Sequence, residues 1–168
     1  MVDQLTTRIA SEQDIESIRM IYNQGIEDRI ATLETEQKES PYMINWFEQH
    51  KGRYKVLAAE QNGEVIGWAS LNQYSNRCAY NGVADLSVYI RRDFRGKGIG
   101  TKLLQDIESL AIQHQFNKII LFTFSYIQYL FKSLLNIFVV YFSFKSLQII
   151  LFTSLSFLYC IIYCINYF

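Results

Sequence analysis

Arg95-Gly96-Lys97-Gly98-Ile99-Gly100 is the stretch whose residue types and spacing point most directly to chemistry. Glycines let consecutive backbone N–H groups turn toward one point, and the free N–H groups and dipole of a helix N-terminus add positive potential there. A strand-like run, Ala84 to Ile90, leads into the loop and a helix-like run, Thr101 to His114, leads out. Strand, glycine loop and helix together form a cradle for a phosphate-bearing cofactor. Spacing narrows the choice: a Walker loop needs Gly-Lys-Ser/Thr, which occurs nowhere here, and a dinucleotide fingerprint needs G-x-G-x-x-G where this chain has G-x-G-x-G. What remains is Arg-x-x-Gly-x-Gly. Taken by itself, the hexapeptide has a plainer alternative as a solvated basic turn.

The elements that must position this loop are readable from periodicity. Leu5 to Ile9 alternates as a short strand, and Ser11 with Asp14 three residues on forms a capping box for a helix with Ile15, Ile18, Tyr22 and Ile26 on one face. Ala31-Thr32-Leu33-Glu34 mixes polar and apolar residues, as a loop beside a pocket or an ordinary connector would. Ser40 and Pro41 read as the N-cap and first residue of a second helix with Met43, Trp46 and Phe47 on its apolar side. Tyr54 to Glu60 and Glu64 to Tyr74 are strands joined at Asn62-Gly63, the strongest short hairpin signal. After the cradle, Leu103, Leu104, Ile107, Leu110 and Ala111 give a helix face, and Lys118 to Phe124 a further strand. The order β, α, α, β, β, β, α, β predicts an α/β (α+β) domain with a mixed, mostly antiparallel sheet flanked by helices.

A chain of 168 residues is long enough for one domain with a proper core. Sixteen acidic and sixteen basic residues cancel, which leaves no electrostatic case for nucleic acid. Cys78, Cys160 and Cys164 make neither a C-x-x-C pair nor an even framework, and Met1-Val2-Asp3-Gln4 does not open a signal peptide; a cytoplasmic protein is expected. His50 and His114 have no neighbour in sequence that suggests catalysis or metal binding, and no metal is expected.

Five blocks carry a resemblance: Ile21-Tyr22-Asn23, Ala31-Thr32-Leu33-Glu34, Gly67-Trp68-Ala69, Ala84-Asp85-Leu86-Ser87-Val88-Tyr89-Ile90 and the cradle itself. In this order they resemble the GNAT N-acetyltransferases, in particular the phosphinothricin and amino-acid N-acetyltransferase branch, over about residues 7–124. The resemblance implies acetyl-CoA as co-substrate, its pyrophosphate on the amides of Arg95, Gly96, Lys97, Gly98, Ile99 and Gly100. Its pantetheine arm would lie along Val88, Tyr89 and Ile90, with a Val88 N–H facing the developing oxyanion. It implies Asp85 as the base that takes the proton of a small amino-acid-like amine, the alternative being a carboxylate bonded to a neighbouring loop or to Arg77. Arg77, Tyr80 and Glu34 are its substrate-side candidates, Arg77 and Tyr80 standing equally well as surface residues. In the intact family a homodimer is open.

Residues 125–168 break the resemblance. They hold only Lys132 and Lys145 as charges and no Gly, Pro, Ala, Asp or Glu. Their residue types have A/T-rich codons, as expected of a reading frame shifted near the codon for Phe124, so the domain is read as 1–124 with an aberrant apolar tail at 125–168. The rival reading is a membrane hairpin of Ser125 to Phe144 and Leu147 to Phe168, against which Lys132 falls inside the first span and no basic flank sets an orientation. Without the family's last helix and strands, the sheet is expected to lose or replace an edge. Transfer is expected to be impaired, with Tyr126 and Tyr129 near, but not aligned with, the position of a tyrosine general acid. A noncatalytic acyl-CoA binder and a membrane-associated interaction protein are the competing readings.

Overall fold

The computed structural model describes residues 5–29, 31–125, 136–143 and 150–151. Strand β1 (Thr6–Ile9) is followed by a single 3-10 turn, Glu12–Asp14, and then by α1 (Ile15–Asp28). The capping box forms as the sequence requires: the Ser11 N–H and Oγ–H both donate to Asp14 Oδ2, at 2.7 and 3.0 Å. Arg8 grips the same carboxylate in two-pronged fashion, at 2.7 and 2.9 Å. Those bonds from Arg8, and secondarily the Ser11 bonds, hold Asp14 down at about 2 against the opposing effect of burial. Arg29, in a left-handed conformation at φ 57°, stops α1.

Helix α2 (Ser40–Glu48) begins one residue earlier than expected, with Glu39 rather than Ser40 as N-cap and Pro41 at the second helical position. The reason is that the Ser40 hydroxyl is drawn to Glu16 Oε2, at 3.1 Å, leaving the Glu39 carbonyl to accept the first helical bond from Met43 N–H, at 3.2 Å. Met43 and Phe47 are buried against α1 and the sheet.

Strands β2 (Val56–Gln61) and β3 (Glu64–Gln73) form the expected hairpin, with Asn62 at φ 53° and Gly63 at φ 81°. Positive φ at both central residues is the turn that matches the twist of its strands. β4 (Val83–Ile90) pairs antiparallel with β3 without a register shift, from Gly67↔Ile90 to Gln73↔Ala84. α3 (Ile99–Gln113) then crosses back to β5 (Lys118–Ser125), which runs parallel to β4. The element order through β5 is the one read from the sequence.

The sheet edge after β5, expected to be missing or replaced, is occupied by strand β6 (Asn136–Ser143), antiparallel to β5 over Lys118↔Ser143 to Ser125↔Asn136, and by β7 (Ile150–Leu151). Ile137 to Phe142 are all β-branched or aromatic, types that favour a strand. Tyr126, Tyr129, Lys132 and most of both candidate membrane spans lie outside the described residues. Among the described residues no helix is long and apolar enough to cross a membrane.

Two cores flank the sheet. Under α3 lie Leu57, Ala69, Leu71, Leu86, Val88 and Ile90, packed by Ile99, Leu103 and Ile107. On the opposite face Val56, Ala58 and Trp68 meet Ile18 and Ile21 of α1 and Met43 and Phe47 of α2. α1 comes down close because residue 25 is glycine: a Cβ there would fall 2.9 Å from the Tyr89 ring.

Candidate active site

The glycine loop has the conformation its composition predicts. Gly96 and Gly98 sit at φ 74° and 79° with open space where a Cβ would stand, so backbone conformation alone calls for glycine there. Gly98 caps α3, and Lys102 N–H is the first to reach a helical carbonyl, that of Gly98 at 3.1 Å. The N–H groups of Ile99, Gly100 and Thr101 therefore lack intrahelical acceptors and mark the positive end of the helix dipole.

Most side-chain charge around the loop is already neutralised. Arg95 turns away from the loop mouth: its Nη1 bonds Asp28 Oδ2 at 2.6 Å and its Nε donates to the Ile90 carbonyl at 3.1 Å. Arg92 shares Asp28 and reaches Glu27, at 2.7 and 3.0 Å, while Arg91 pairs with Asp93 and Glu64, at 2.9 and 3.0 Å. Lys97 stands over the Phe94 ring at 4.6 Å and, among the described residues, pairs with no carboxylate. The groups that the loop leaves open to an anion, among the described residues, are backbone amides and the Lys97 ammonium.

Strand β4 is paired on both sides only at its start. Its partners on β5 run from Val83↔Lys118 to Leu86↔Leu121 and then end, although β4 continues to Ile90 and β5 to Ser125. The open edge at residues 87–90 leads directly into the glycine loop. Which groups face that edge follows from parity: Arg91 N–H donates to the Ile66 carbonyl of β3 at 2.9 Å, and backbone groups of alternate residues in an antiparallel pair point to the same neighbour. Tyr89 and Ser87 consequently face β3, while Val88 and Ile90 face the opening. Among the described residues, the Val88 N–H and C=O and the Ile90 N–H have no strand partner there, while the Ile90 carbonyl is held by Arg95.

Side chains of β4 alternate as the sequence predicts, Leu86, Val88 and Ile90 buried under α3 and Asp85, Ser87 and Tyr89 on the α1/α2 face. Asp85 is half-buried and, among the described residues, no cation pairs with it. Burial pushes its carboxyl up to about 6, opposed by a hydrogen bond from the Leu86 backbone. The alternative in which Arg77 neutralises it is not what the structure shows: the Arg77 backbone N–H bonds Ser75 Oγ at 3.2 Å, in an exposed turn.

Near Asp85 on this face, Tyr22, Tyr42, Trp46, Trp68, Ser87 and Tyr89 line a cavity of about 50 Å³. The rings brace one another: Trp68 stacks on Tyr89 at 4.8 Å, and Tyr22 meets Tyr89 edge-on at 4.9 Å. Tyr22 and Tyr89 phenols are both held protonated to higher pH, mainly by burial. The loop at 31–34 lies beside them, Tyr89 Oη–H reaching the Ala31 carbonyl at 3.4 Å. Asn23 fixes the end of that loop, accepting from Lys38 N–H at 2.7 Å and donating to its carbonyl at 3.0 Å.

Of the substrate-side candidates, Glu34 sits next to this cavity but is paired with Lys38, at 2.5 Å. Tyr80, 38% exposed, packs edge-on to Tyr74 at 5.5 Å in the turn with Arg77, and neither lines the cavity. The cavity walls Tyr42, Trp46 and Trp68 were not among the sequence candidates. Trp68 stood inside a matching block, Gly67-Trp68-Ala69, and that was the available signal. His50 has partners after all, hydrogen-bonding the Trp46 carbonyl and the Asn72 side chain.

A mixed sheet whose two central parallel strands part beside a glycine loop at a helix N-terminus defines an acyl-CoA-dependent transferase fold. The family model described as "Acetyltransferase (GNAT) family" matches residues 18–128, and the chain belongs to that family. The chain is 37% identical to YwnH of Bacillus subtilis (strain 168), across 64% of this chain and 66% of that protein. It is 31% identical to the L-methionine sulfoximine/L-methionine sulfone acetyltransferase of Salmonella typhimurium, across 60% and 59%. Among solved structures, a GNAT superfamily phosphinothricin acetyltransferase from Sinorhizobium meliloti in complex with AcCoA superposes with a TM-score of 0.68 at 30% identity, covering 71% of this chain and 65% of that one. The chain thus spans about three fifths to two thirds of the length of these relatives.

Proposed function

We propose that this chain binds acetyl-CoA along the open edge of β4 and the glycine loop, and transfers the acetyl group to the primary amine of a small amino-acid-like molecule. The parting of β4 from β5 after Leu86 carries this reading, because it leaves the Val88 N–H and C=O and the Ile90 N–H without a strand partner among the described residues, immediately before a loop built to hold an anion. Acetyl-CoA supplies an activated thioester. An ammonium cannot attack it, so a base is needed, and Asp85, half-buried, uncompensated and tuned to about 6, is suited to be largely ionised at neutral pH while still taking a proton. Asp85 takes one proton from the ammonium; the freed amine nitrogen bonds to the acetyl carbon as the carbon–sulfur bond breaks, and its second surplus proton leaves with the CoA sulfur as the thiol. The Val88 N–H stabilises negative charge on the carbonyl oxygen. Relatives that act on phosphinothricin and methionine sulfone support an acceptor of that class. The exposed, free thiol of Cys78 suits a cytoplasmic setting.

A second reading is an acyl-CoA binder with impaired transfer. It is supported by the family match ending at residue 128 and by the limited share of each relative that the chain covers. Calorimetry with acetyl-CoA, followed by detection of free CoA thiol in the presence of L-methionine sulfone or L-phosphinothricin, separates the two. Heat with thiol release that Asp85→Asn abolishes supports transfer; heat without release supports the binder; no heat from folded protein sinks both.

A further inference from the structure

Trp68 is 2% exposed, and its indole nitrogen is the buried side-chain polar atom that, among the described residues, reaches no hydrogen-bond partner. An indole N–H only donates. Buried donors in folded proteins nearly always meet an oxygen, because one left unpaired loses its hydration without return. The other buried members of the core to which Trp68 belongs are all aliphatic or aromatic and offer no side-chain oxygen. Its ring neighbours are Tyr89, stacked at 4.8 Å, and Trp46 and Tyr22, edge-on at 5.4 and 5.9 Å. All four rings line the cavity of about 50 Å³, which has room for a small polar group.

Charge decides which oxygen suits this cavity. Among the described residues no Lys, Arg, His, Asp or Glu lines it; the Lys38 ammonium stands over the Tyr42 ring at 4.9 Å and is paired with Glu34. A carboxylate or phosphinate entering there would be buried without a counter-ion, which is costly. A neutral sulfonyl or sulfinyl oxygen accepts the same bond without carrying a net charge. Asp85 precedes Ser87, a wall of the cavity, by two residues on one strand face, which is roughly 7 Å. An amine joined to the oxo group by a short aliphatic chain spans that interval.

We propose that Trp68 is a specificity-determining residue whose indole N–H donates to a neutral oxo oxygen on the side chain of the amine-bearing molecule, so that the chain prefers sulfones and sulfoxides to phosphinates and to plain thioethers. This rests on the transfer reading above and deepens it, by naming the side-chain group that the aromatic cavity takes and the atom that recognises it.

Trp46 and Trp68 are the two tryptophans of the chain, so a sample labelled at nitrogen gives two indole N–H signals in NMR spectra, told apart with Trp46→Phe. The full chain is titrated, with and without coenzyme A, with L-methionine sulfone, with L-methionine, which lacks the oxo oxygens, and with L-phosphinothricin, an isostere of the sulfone that carries a negative phosphinate. The sulfone is expected to move the Trp68 indole proton downfield and slow its exchange with water, and L-methionine to leave it in place. L-phosphinothricin is expected to bind at least about tenfold more weakly than the sulfone. Trp68→Phe keeps a stacked ring and removes the donor; it is expected to weaken sulfone binding about five- to tenfold and L-methionine binding not at all. Thermal melts followed by circular dichroism check folding, and the wild-type indole signals decide the matter should Trp68→Phe not fold. A Trp68 proton that stays put in the sulfone titrations with and without coenzyme A, as one aimed at the face of Trp46 or Tyr22 would, overturns the proposal. So do equal losses for sulfone and L-methionine in Trp68→Phe, or L-phosphinothricin binding as tightly as the sulfone. Thiol release without the indole shift leaves transfer standing and sinks the part given to Trp68; the shift without thiol release does the reverse.

Discussion

The two faces of the sheet are made by alternate residues of the same strands, yet they have opposite characters. Under α3 every contributor from β2, β3 and β4 is aliphatic, from Leu57 through Leu71 to Ile90. Under α1 and α2 the row begins with packed Val56, Ala58 and Trp68 and passes to Ser70, Asn72, Asp85 and Ser87. Stability and chemistry are thereby separated by the parity of a residue number. The lesson is that β4 tolerates a half-buried carboxylate at position 85 because its neighbours at 84 and 86 anchor the strand from the other side.

The sharpest way to test that division is Asp85→Asn. It should lower turnover by about 10²- to 10⁴-fold, and remove a rise of rate with pH centred at about 6 in the wild type. The same substitution should stabilise the fold. The folded-state value lies above the ordinary 3.8, so ionising Asp85 costs stability progressively as pH rises from 3.8 through about 6. Above that pH the asparagine variant should melt a few degrees higher than the wild type, and below pH 3.8 the gain should vanish. Melting curves at two pH values check this.

On the α3 face, Leu103→Ala should behave oppositely, costing about 2–5 kcal/mol in chemical denaturation through a cavity beside Ile107 and Leu57. It should leave the pH dependence of turnover in place. Gly25→Ala sharpens the comparison from the polar side: its Cβ would press on Tyr89, and displacing that ring should cost about 1–3 kcal/mol and weaken acceptor binding more than acetyl-CoA binding. The smallest effect is expected at the loop, where Gly98→Ala meets no atom but must hold φ 79°. That strain is worth about 1–2 kcal/mol and should appear as weaker acetyl-CoA binding by calorimetry.

What the sequence revealed was local. The Asn62-Gly63 turn, the Ser11–Asp14 capping box, the alternation of β4 and the glycine loop each depend on residues within a few positions, and each stands where its pattern put it. What it concealed was contact between distant segments. The α2 N-cap shifted by one because Glu16, 24 residues away, takes the Ser40 hydroxyl. The Arg95 guanidinium is engaged by Asp28, 67 residues earlier. Trp46 read only as an apolar helix position, and its meeting with Trp68 at 5.4 Å is a product of packing α2 on β3. His50 gained a partner for the same reason, Asn72 lying 22 residues along.

The carboxylates that occupy Arg91, Arg92 and Arg95 have a consequence for how the loop should respond to its medium. A nucleotide site made of free guanidinium groups loses affinity steeply as dissolved ions shield it. In the binding proposed for this chain the grip would come from neutral peptide dipoles at short range, so raising potassium chloride tenfold should barely alter how tightly the coenzyme is held, and the modest change that remains should disappear in Lys97→Ala.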